Sequence, residues 1–255
     1  MLDIVFPHPM AIVVAAFAIA VIAGVIKGAV GFAMPLVMVS GFSSIMDPKV
    51  GLAILIVPVV ISNVMQTFRN GVAPAWDAII EFRRYLLIVC IAIIVAAQAV
   101  NYVSDQAFYA VLGVPVVALS VLQLLGWRMQ IKPENRNKTE WGVGLLSGIL
   151  GGLAGTWGPT TVLYLIAIDT PKVKQMVVQG VIYGLGAIAL LLGHIQSGIF
   201  NRETAPFSAV LLVPAVIGMW IGFRIQDRMN QELFRRATLV VLVVAGLNLI
   251  RKALI

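Results

Sequence analysis

Charged residues are scarce in this sequence: Asp, Glu, Lys and Arg make up 11% of its 255 residues, against about 25% in ordinary soluble domains. A soluble domain of this size needs a charged surface, so the shortage excludes a soluble enzyme, a nucleic-acid-binding domain and a disordered segment. Hydrophobic residues make up 60% of the chain and form runs longer than the roughly 18 residues of a membrane-spanning helix. The short alternating segments of a membrane β-barrel are absent. The composition therefore predicts an all-α polytopic membrane protein.

Cysteine and histidine are also almost missing. The single cysteine, Cys90, cannot form an intrachain disulfide. The two histidines, His8 and His194, are far apart in sequence and have no metal-ligand spacing around them. The sequence also has no Walker motif, no dinucleotide fingerprint and no nucleophile–base pair. We therefore expect no metal, no cofactor and no enzymatic activity.

What the sequence has instead is eight apolar segments separated by polar breaks. They cover residues 9–42, 50–68, 85–103, 108–127, 141–168, 173–195, 206–223 and 233–250. The first segment lacks a basic n-region and a cleavage site, so we expect it to belong to the mature protein. The longest polar stretch, 128–140, is expected to be a cytoplasmic linker between a first transmembrane repeat, 1–127, and a second, 141–255.

The two halves carry the same pattern of glycine and proline at an offset of 124 positions, which indicates a duplication. The matched residues are Gly24, Gly28, Gly31 and Pro35 in the first half and Gly148, Gly152, Gly155 and Pro159 in the second. The similarity continues into Pro48-Lys49 and Pro171-Lys172.

The distribution of basic residues favours inverted halves. If the first and fifth segments each cross the membrane once, ten Lys and Arg residues lie on one side and seven on the other. If each segment instead returns to its starting side as a helical hairpin or re-entrant pair, the split is thirteen to four. Because Lys and Arg concentrate on the cytoplasmic side, the second arrangement is favoured. It predicts three transmembrane helices plus one hairpin or re-entrant pair per repeat, with both termini outside.

Each glycine–proline motif predicts a helix, a glycine turn and a short second helix at membrane depth. Pro35 and Pro159 suit the first turn of a new helix, because proline lacks the N–H that would be unpaired there. The amides at the start of the second helix would attract an anion. Two such turns in inverted repeats would meet near the bilayer midplane. The alternative interpretation is close helix packing through the small-xxx-small spacing of the glycines.

Lys27 is the one charged residue deep inside an apolar segment. A charge at that depth costs a few kcal/mol or more, so a partner or a function is expected. Beside helix N-termini, Lys27 would complement an anionic substrate, whereas the alternative is a side chain that reaches the membrane interface. The matching position in the second half is Gly151, so any site is asymmetric.

Polar side chains on two other segments would line a path for a polar solute. Asn63 and Gln66 share one helix face, as do Gln179 and Tyr183. The alternative role is hydrogen bonding between helices. Thr156, Trp157 and Thr160 flank the second turn and are placed to contact a ligand, although Trp157 suits packing equally well. The predicted substrate-binding residues are Lys27, Gly28, Gly31, Asn63, Gln66, Gly152, Gly155, Thr156, Trp157, Gln179 and Tyr183.

The two motifs resemble those of the sulfite exporter TauE/SafE family. The resemblance rests on Gly-x-x-Lys-Gly-x-x-Gly-Phe over 24–32 and Gly-x-x-Gly-Gly-x-x-Gly-x-x-Gly-Pro over 148–159, and its layout covers nearly the whole chain. It implies a multi-pass transporter of sulfite or an organosulfonate in the bacterial cytoplasmic membrane. The first-motif lysine of the family corresponds to Lys27. One departure is Ala33, where the family pattern leads us to expect a further glycine.

From these features we expect secondary transport of a small anion by alternating access, with export favoured over uptake. The partners implied are that anion and the lipid bilayer, while the coupling ion and the oligomeric state stay open. No carboxylate lies deep in an apolar segment, which disfavours a proton relay through Asp or Glu. An anion channel or facilitator and a non-transport membrane subunit are the alternatives.

Overall fold

The computed structural model describes residues 9–42, 44–98, 105–127, 130–154, 158–196 and 198–254, and all regular elements among them are helical. The α-helices are α1 (Met10–Val30), α2 (Met34–Phe42), α3 (Pro48–Ile54), α4 (Ile56–Phe68), α5 (Val72–Glu81), α6 (Arg83–Gln98), α7 (Asp105–Leu124), α8 (Arg136–Ala154), α9 (Gly158–Ala167), α10 (Lys172–Gln196), α11 (Thr204–Arg228) and α12 (Gln231–Ala253). A 3₁₀ turn, Pro133–Asn135, precedes α8. The predicted all-α membrane fold is confirmed.

Four helical stretches in the described part of the chain are long and apolar enough to cross a membrane. They are Met10–Val30, Val50–Phe68, Thr204–Arg228 and Gln231–Arg251. With nine and ten residues, α2 and α9 are about 14 and 15 Å long, half of the roughly 30 Å hydrocarbon core. These two short helices follow the glycine motifs, and Pro35 and Pro159 are each the second residue of their helix. The predicted succession of helix, break and short helix is therefore confirmed in the first half. In the second half the long and the short helix are both present, and residues 155–157 between them lie outside the described residues.

The helices group into two compact units, and each unit takes helices from both halves of the sequence. The first unit comprises Met1–Arg69 and Gly180–Asn230, and the second comprises Asn70–Gln179 and Gln231–Ile255. In the first unit the core lies among α1, α2, α4 and α11, where Ala20, Met34 and Met38 are fully buried.

Helices α1 and α11 of the first unit approach through reciprocal glycines. A Cβ atom added to Gly24 or Gly28 would lie 2.2 Å from the carbonyl oxygen of Ala215 or Met219. The reverse contact is equally close: a Cβ atom added to Gly218 or Gly222 of α11 would lie 2.1 or 2.2 Å from a carbonyl oxygen of α1. Real Cβ atoms do not approach this closely, so close packing is confirmed as a role of Gly24 and Gly28.

In the second unit, α6 packs against α8 and α7 packs against α12. A Cβ atom added to Gly148 of α8 would lie 2.4 Å from the Cβ of Ala92 and 2.8 Å from the carbonyl oxygen of Val89, both on α6. At the contact of α7 with α12, a Cβ atom on Gly113 would lie 3.0 Å from the carbonyl oxygen of Gly246. Small residues thus allow close backbone contact in this unit as well.

The helix packing of one unit is repeated in the other, with each helix replaced by its equivalent from the other half of the sequence. By the glycine pattern, α1 of the first half matches α8 of the second, and by their order in each half α6 matches α11. The α1–α11 pair of the first unit therefore corresponds to the α8–α6 pair of the second. Helices α7 and α12 occupy the last position of each half, and they pair with each other.

Candidate functional site

The turn between α1 and α2 contains two residues with a left-handed backbone conformation, Gly31 and Ala33. Gly31 caps α1 in the left-handed conformation, with φ 87°, and its N–H donates to the carbonyl oxygen of Lys27 at 2.7 Å. Two residues later, Ala33 is also left-handed, with φ 71°. This is the position where a further glycine was expected. The turn keeps a glycine-type geometry there even though it has an alanine, which costs about 1–2 kcal/mol of backbone strain.

Lys27 lies in the last turn of α1 and only 2% of its surface is exposed. Its Nζ donates to Oδ1 of Asn63 at 2.7 Å and lies 5.8 Å from the centroid of the Tyr183 ring. Among the residues that the structure describes, no carboxylate oxygen lies within 4.0 Å of this ammonium. The first unit therefore contains a buried cation whose described partners are a neutral amide and an aromatic ring.

Two amide side chains of α4 connect this lysine to the turn. Asn63 donates from Nδ2 to the carbonyl oxygen of Tyr183 at 3.3 Å, and Gln66 donates from Nε2 to the carbonyl oxygen of Gly31 at 3.1 Å. Both amides are buried. The structure thus brings together five predicted residues, Lys27, Gly31, Asn63, Gln66 and Tyr183, and hydrogen bonding between helices is one role of the polar side chains.

The remaining predicted residues lie elsewhere or outside the described part of the chain. Gly28 faces α11, as described above, and Gln179 is fully buried in α10, within the second unit. Gly152 lies in the last turn of α8. The other three, Gly155, Thr156 and Trp157, fall outside the described residues.

Sequence reasoning singled out Thr160 beside the second motif, but it missed the cluster of hydroxyl groups to which Thr160 belongs. In the second unit, Tyr85 Oη lies 2.9 Å from Oγ of Ser147 and 3.0 Å from Oγ1 of Thr161. Ser147 Oγ lies 2.7 Å from Oγ1 of Thr160. The two threonines are in the first turn of α9, so the start of the second short helix is lined with neutral hydroxyls, whereas a cation lies near the start of the first.

Sequence reasoning also missed a buried carboxylate, Glu140, which is 4% exposed. Because α8 begins at Arg136, the end of the stretch assigned to the linker is helical, and Glu140 faces inward. Its Oε1 accepts from the hydroxyl of Tyr164 at 3.0 Å and from Nε of Arg136 at 3.2 Å, and Arg84 lies 3.7 Å from Oε2. The i, i+4 spacing of Arg136 and Glu140 was the available signal.

A second carboxylate of the same unit, Glu81 at the end of α5, forms ion pairs with Lys174 and Arg136. Partial burial alone would raise the pKa of Glu81. The hydrogen bonds and positive charges of Lys174 and Arg136 outweigh that effect and lower the pKa below its usual range. Glu81 and Glu140 share Arg136, so the polar ends of α5, α6 and α8 are joined by one ionic network.

Comparison with known proteins bears directly on this arrangement. The profile of the family described as Sulfite exporter TauE/SafE matches residues 16–249, nearly the whole chain. No curated protein and no solved structure matches significantly. The matched region contains both glycine turns, the buried lysine and the hydroxyl cluster. The chain is therefore a member of the TauE/SafE family, a family of sulfite-exporter-type membrane transporters rather than enzymes.

Proposed function

We propose that this transporter moves sulfite or an organosulfonate across the bacterial cytoplasmic membrane by alternating access, with export favoured over uptake. The observation that carries the proposal is the buried ammonium of Lys27, which has no carboxylate partner among the described residues. A charge in the membrane interior costs a few kcal/mol or more unless it is compensated. A small anion would supply that compensation during each transport cycle.

The contacts of Lys27 suggest how an anion would enter the site. The ammonium has three donors, and Asn63 accepts one of them. An oxygen of the substrate could bind the remaining donors, or replace Oδ1 of Asn63 as the acceptor. In the first turn of α2, Met34 and Leu36 carry backbone N–H groups that have no acceptor within their own helix, close to the turn that Gln66 joins to α4. They provide further donors of the kind that bind oxyanions.

The predicted residues of the second motif are part of the proposal as well. We assign substrate contacts to Gly152, Gly155, Thr156, Trp157 and Gln179 on the basis of the sequence, together with Gly28 in the first motif. The neutral hydroxyl groups around the second short helix can hydrogen-bond to a sulfonate or sulfite oxygen without adding charge.

The inverted repeat, with halves 1–127 and 141–255 and a linker at 128–140, belongs to the same proposal. Its support is the correspondence of helix pairs between the units, since a duplicated sequence is expected to reproduce its packing. Inverted repeats allow two related conformations to exchange, which is the basis of alternating access in many secondary transporters.

The proposal is tested by flux measurements in proteoliposomes with sulfite, isethionate, thiosulfate and a carboxylate. We expect saturable flux of the sulfur oxyanions and exchange between internal and external substrate. Lys27→Gln should abolish the flux, while the matched control Lys138→Gln, at an exposed position, should retain it. Both proteins should elute as monodisperse species of the wild-type size.

Three results would count against this function. Unchanged flux in Lys27→Gln would remove the lysine from the site. Flux that rises linearly with concentration, without exchange, would favour the channel or facilitator alternative. Absence of flux for every anion, with a partner protein lost on deletion of the chain, would favour a membrane subunit.

A further inference from the structure

The second unit has a long apolar groove on its surface, between α6 and α8. Its volume is about 660 Å³. Its lining includes Leu87, Ile91 and Val95 of α6 and Trp141, Leu145 and Ile149 of α8. Leu87, Ile91 and Val95 are 60–65% exposed in the folded protein, whereas Ile88, Ala92 and Ala96, which also line the groove, are buried.

One end of the groove is strongly basic. Arg84 lines the groove and also an adjoining pocket of about 350 Å³, which contains Arg83, Arg136, Glu81 and Glu140. With Lys174, which pairs with Glu81, four cations face two carboxylates. Arg83 forms no ion pair with any residue in the described ranges. The pocket therefore has an excess of positive charge and a free guanidinium.

The dimensions of the groove fit one leaflet of a bilayer. From Arg84 to Ala96, the two ends of the lining on α6, the distance along the helix is about 18 Å. One leaflet contributes about 15 Å of the hydrocarbon core. Trp141 lies at the same end as the arginines, at the depth where tryptophan marks the interface between hydrocarbon and headgroups.

We propose that this groove is a binding site for an anionic phospholipid, with an acyl chain between α6 and α8 and the headgroup phosphate on Arg83 and Arg84. Charge and shape jointly select this occupant. A soluble anion would satisfy the arginines but leave the apolar groove unused, and a zwitterionic lipid would bring its own cation to a pocket that already has a positive excess. The positive-inside rule assigns the site to the cytoplasmic leaflet, where anionic headgroups attract basic residues.

The test is native mass spectrometry of the purified protein in a non-ionic detergent. Phosphatidylglycerol and phosphatidylcholine with identical acyl chains are titrated separately, and bound lipid is counted. We expect phosphatidylglycerol to bind at lower concentration than phosphatidylcholine. Arg83→Gln should weaken the binding of phosphatidylglycerol about fivefold, which is the usual effect of one basic residue at an anionic membrane surface. The control Arg228→Gln, at an exposed arginine of the first unit, should leave it unchanged.

A second variant tests the groove itself. Val95→Trp places a large side chain in the groove at an exposed position. It should weaken the binding of phosphatidylglycerol without a loss of thermal stability. Inorganic phosphate at millimolar concentration should fail to displace the lipid. Equal binding of the two lipids, unchanged binding in Arg83→Gln, equal weakening in Arg228→Gln, or displacement by phosphate would each overturn the site.

Discussion

Ala33 allows the backbone strain of the first glycine turn to be measured directly. Its φ of 71° lies in the left-handed region, which costs a residue with a Cβ atom about 1–2 kcal/mol. Ala33→Gly relieves that cost. Two effects of the same substitution destabilise the folded protein. The unfolded chain gains conformational freedom, which costs about 0.5 kcal/mol of stability, and the loss of a buried methyl group costs up to about 0.8 kcal/mol. The expected net effect is therefore close to zero, between about 0.3 kcal/mol of destabilisation and about 0.7 kcal/mol of stabilisation.

The decisive measurement compares this variant with Ala29→Gly. Ala29 and Ala33 are both buried, with 8% and 6% of their surface exposed, so the two variants lose the same group. Ala29 lies inside α1, where glycine costs about 1 kcal/mol relative to alanine, and with the lost methyl group the expected destabilisation is about 1.5–2 kcal/mol. The two variants should therefore differ by about 2 kcal/mol.

The assay is thermal unfolding in detergent at one fixed scan rate, because unfolding of a membrane protein is usually irreversible. For a chain of this size, 1 kcal/mol corresponds to about 2–4 °C. We therefore expect the apparent Tm of Ala33→Gly to lie about 4–8 °C above that of Ala29→Gly, and close to the wild-type value. Equal losses in both variants would refute the assignment of strain to residue 33.

Two further predictions concern packing and charge. Gly28→Ala should destabilise the protein by more than about 2 kcal/mol, because its Cβ would lie 2.2 Å from a backbone oxygen. The control Gly142→Ala, with open space around it, should be neutral or stabilising in the same thermal assay. Similar losses of stability at both positions would argue against the close contact at Gly28. Glu81→Gln should cost less than about 1 kcal/mol at pH 7, since the pair is partly exposed. Lys174 and Arg136 lower the pKa of Glu81 in the folded protein. The stabilisation by these ion pairs is therefore complete above the ordinary glutamate pKa of about 4.3, and it is lost as the pH falls through the lower pKa of the folded state. The apparent Tm values of wild type and variant should converge there, and a constant difference down to pH 3 would contradict the network.

The backbone of the two motifs was predictable, because glycine and proline act locally. The position of Pro35 and Pro159 in the first turn of a short helix follows from the missing N–H alone, and so does the break before Pro35. The burial of Lys27 was also predictable, since its depth in an apolar segment leaves it far from water.

What the sequence could not predict depends on contacts between distant parts of the chain. Ala33 adopts a left-handed conformation that its own chemistry disfavours, because the flanking helices determine the turn. Glu140 looked like a linker residue until α8 was seen to begin at Arg136, which turns the carboxylate toward Tyr164. The hydroxyl cluster combines Tyr85 with Ser147, which are 62 positions apart, so no local pattern could reveal it.

The reciprocal glycine contact between α1 and α11 has a mechanical consequence. Carbonyl oxygens of each helix occupy the space where the other would place a Cβ atom, so neither helix can rotate or slide past its partner without a clash. The pair must therefore move as one rigid body in any conformational change. Lys27, one residue before Gly28, is carried on that body. If Lys27 binds the substrate as proposed, we expect access to its ammonium to depend on the groups that contact it, the amide of Asn63 on α4 and the ring of Tyr183 on α10, rather than on movement of α1 against α11.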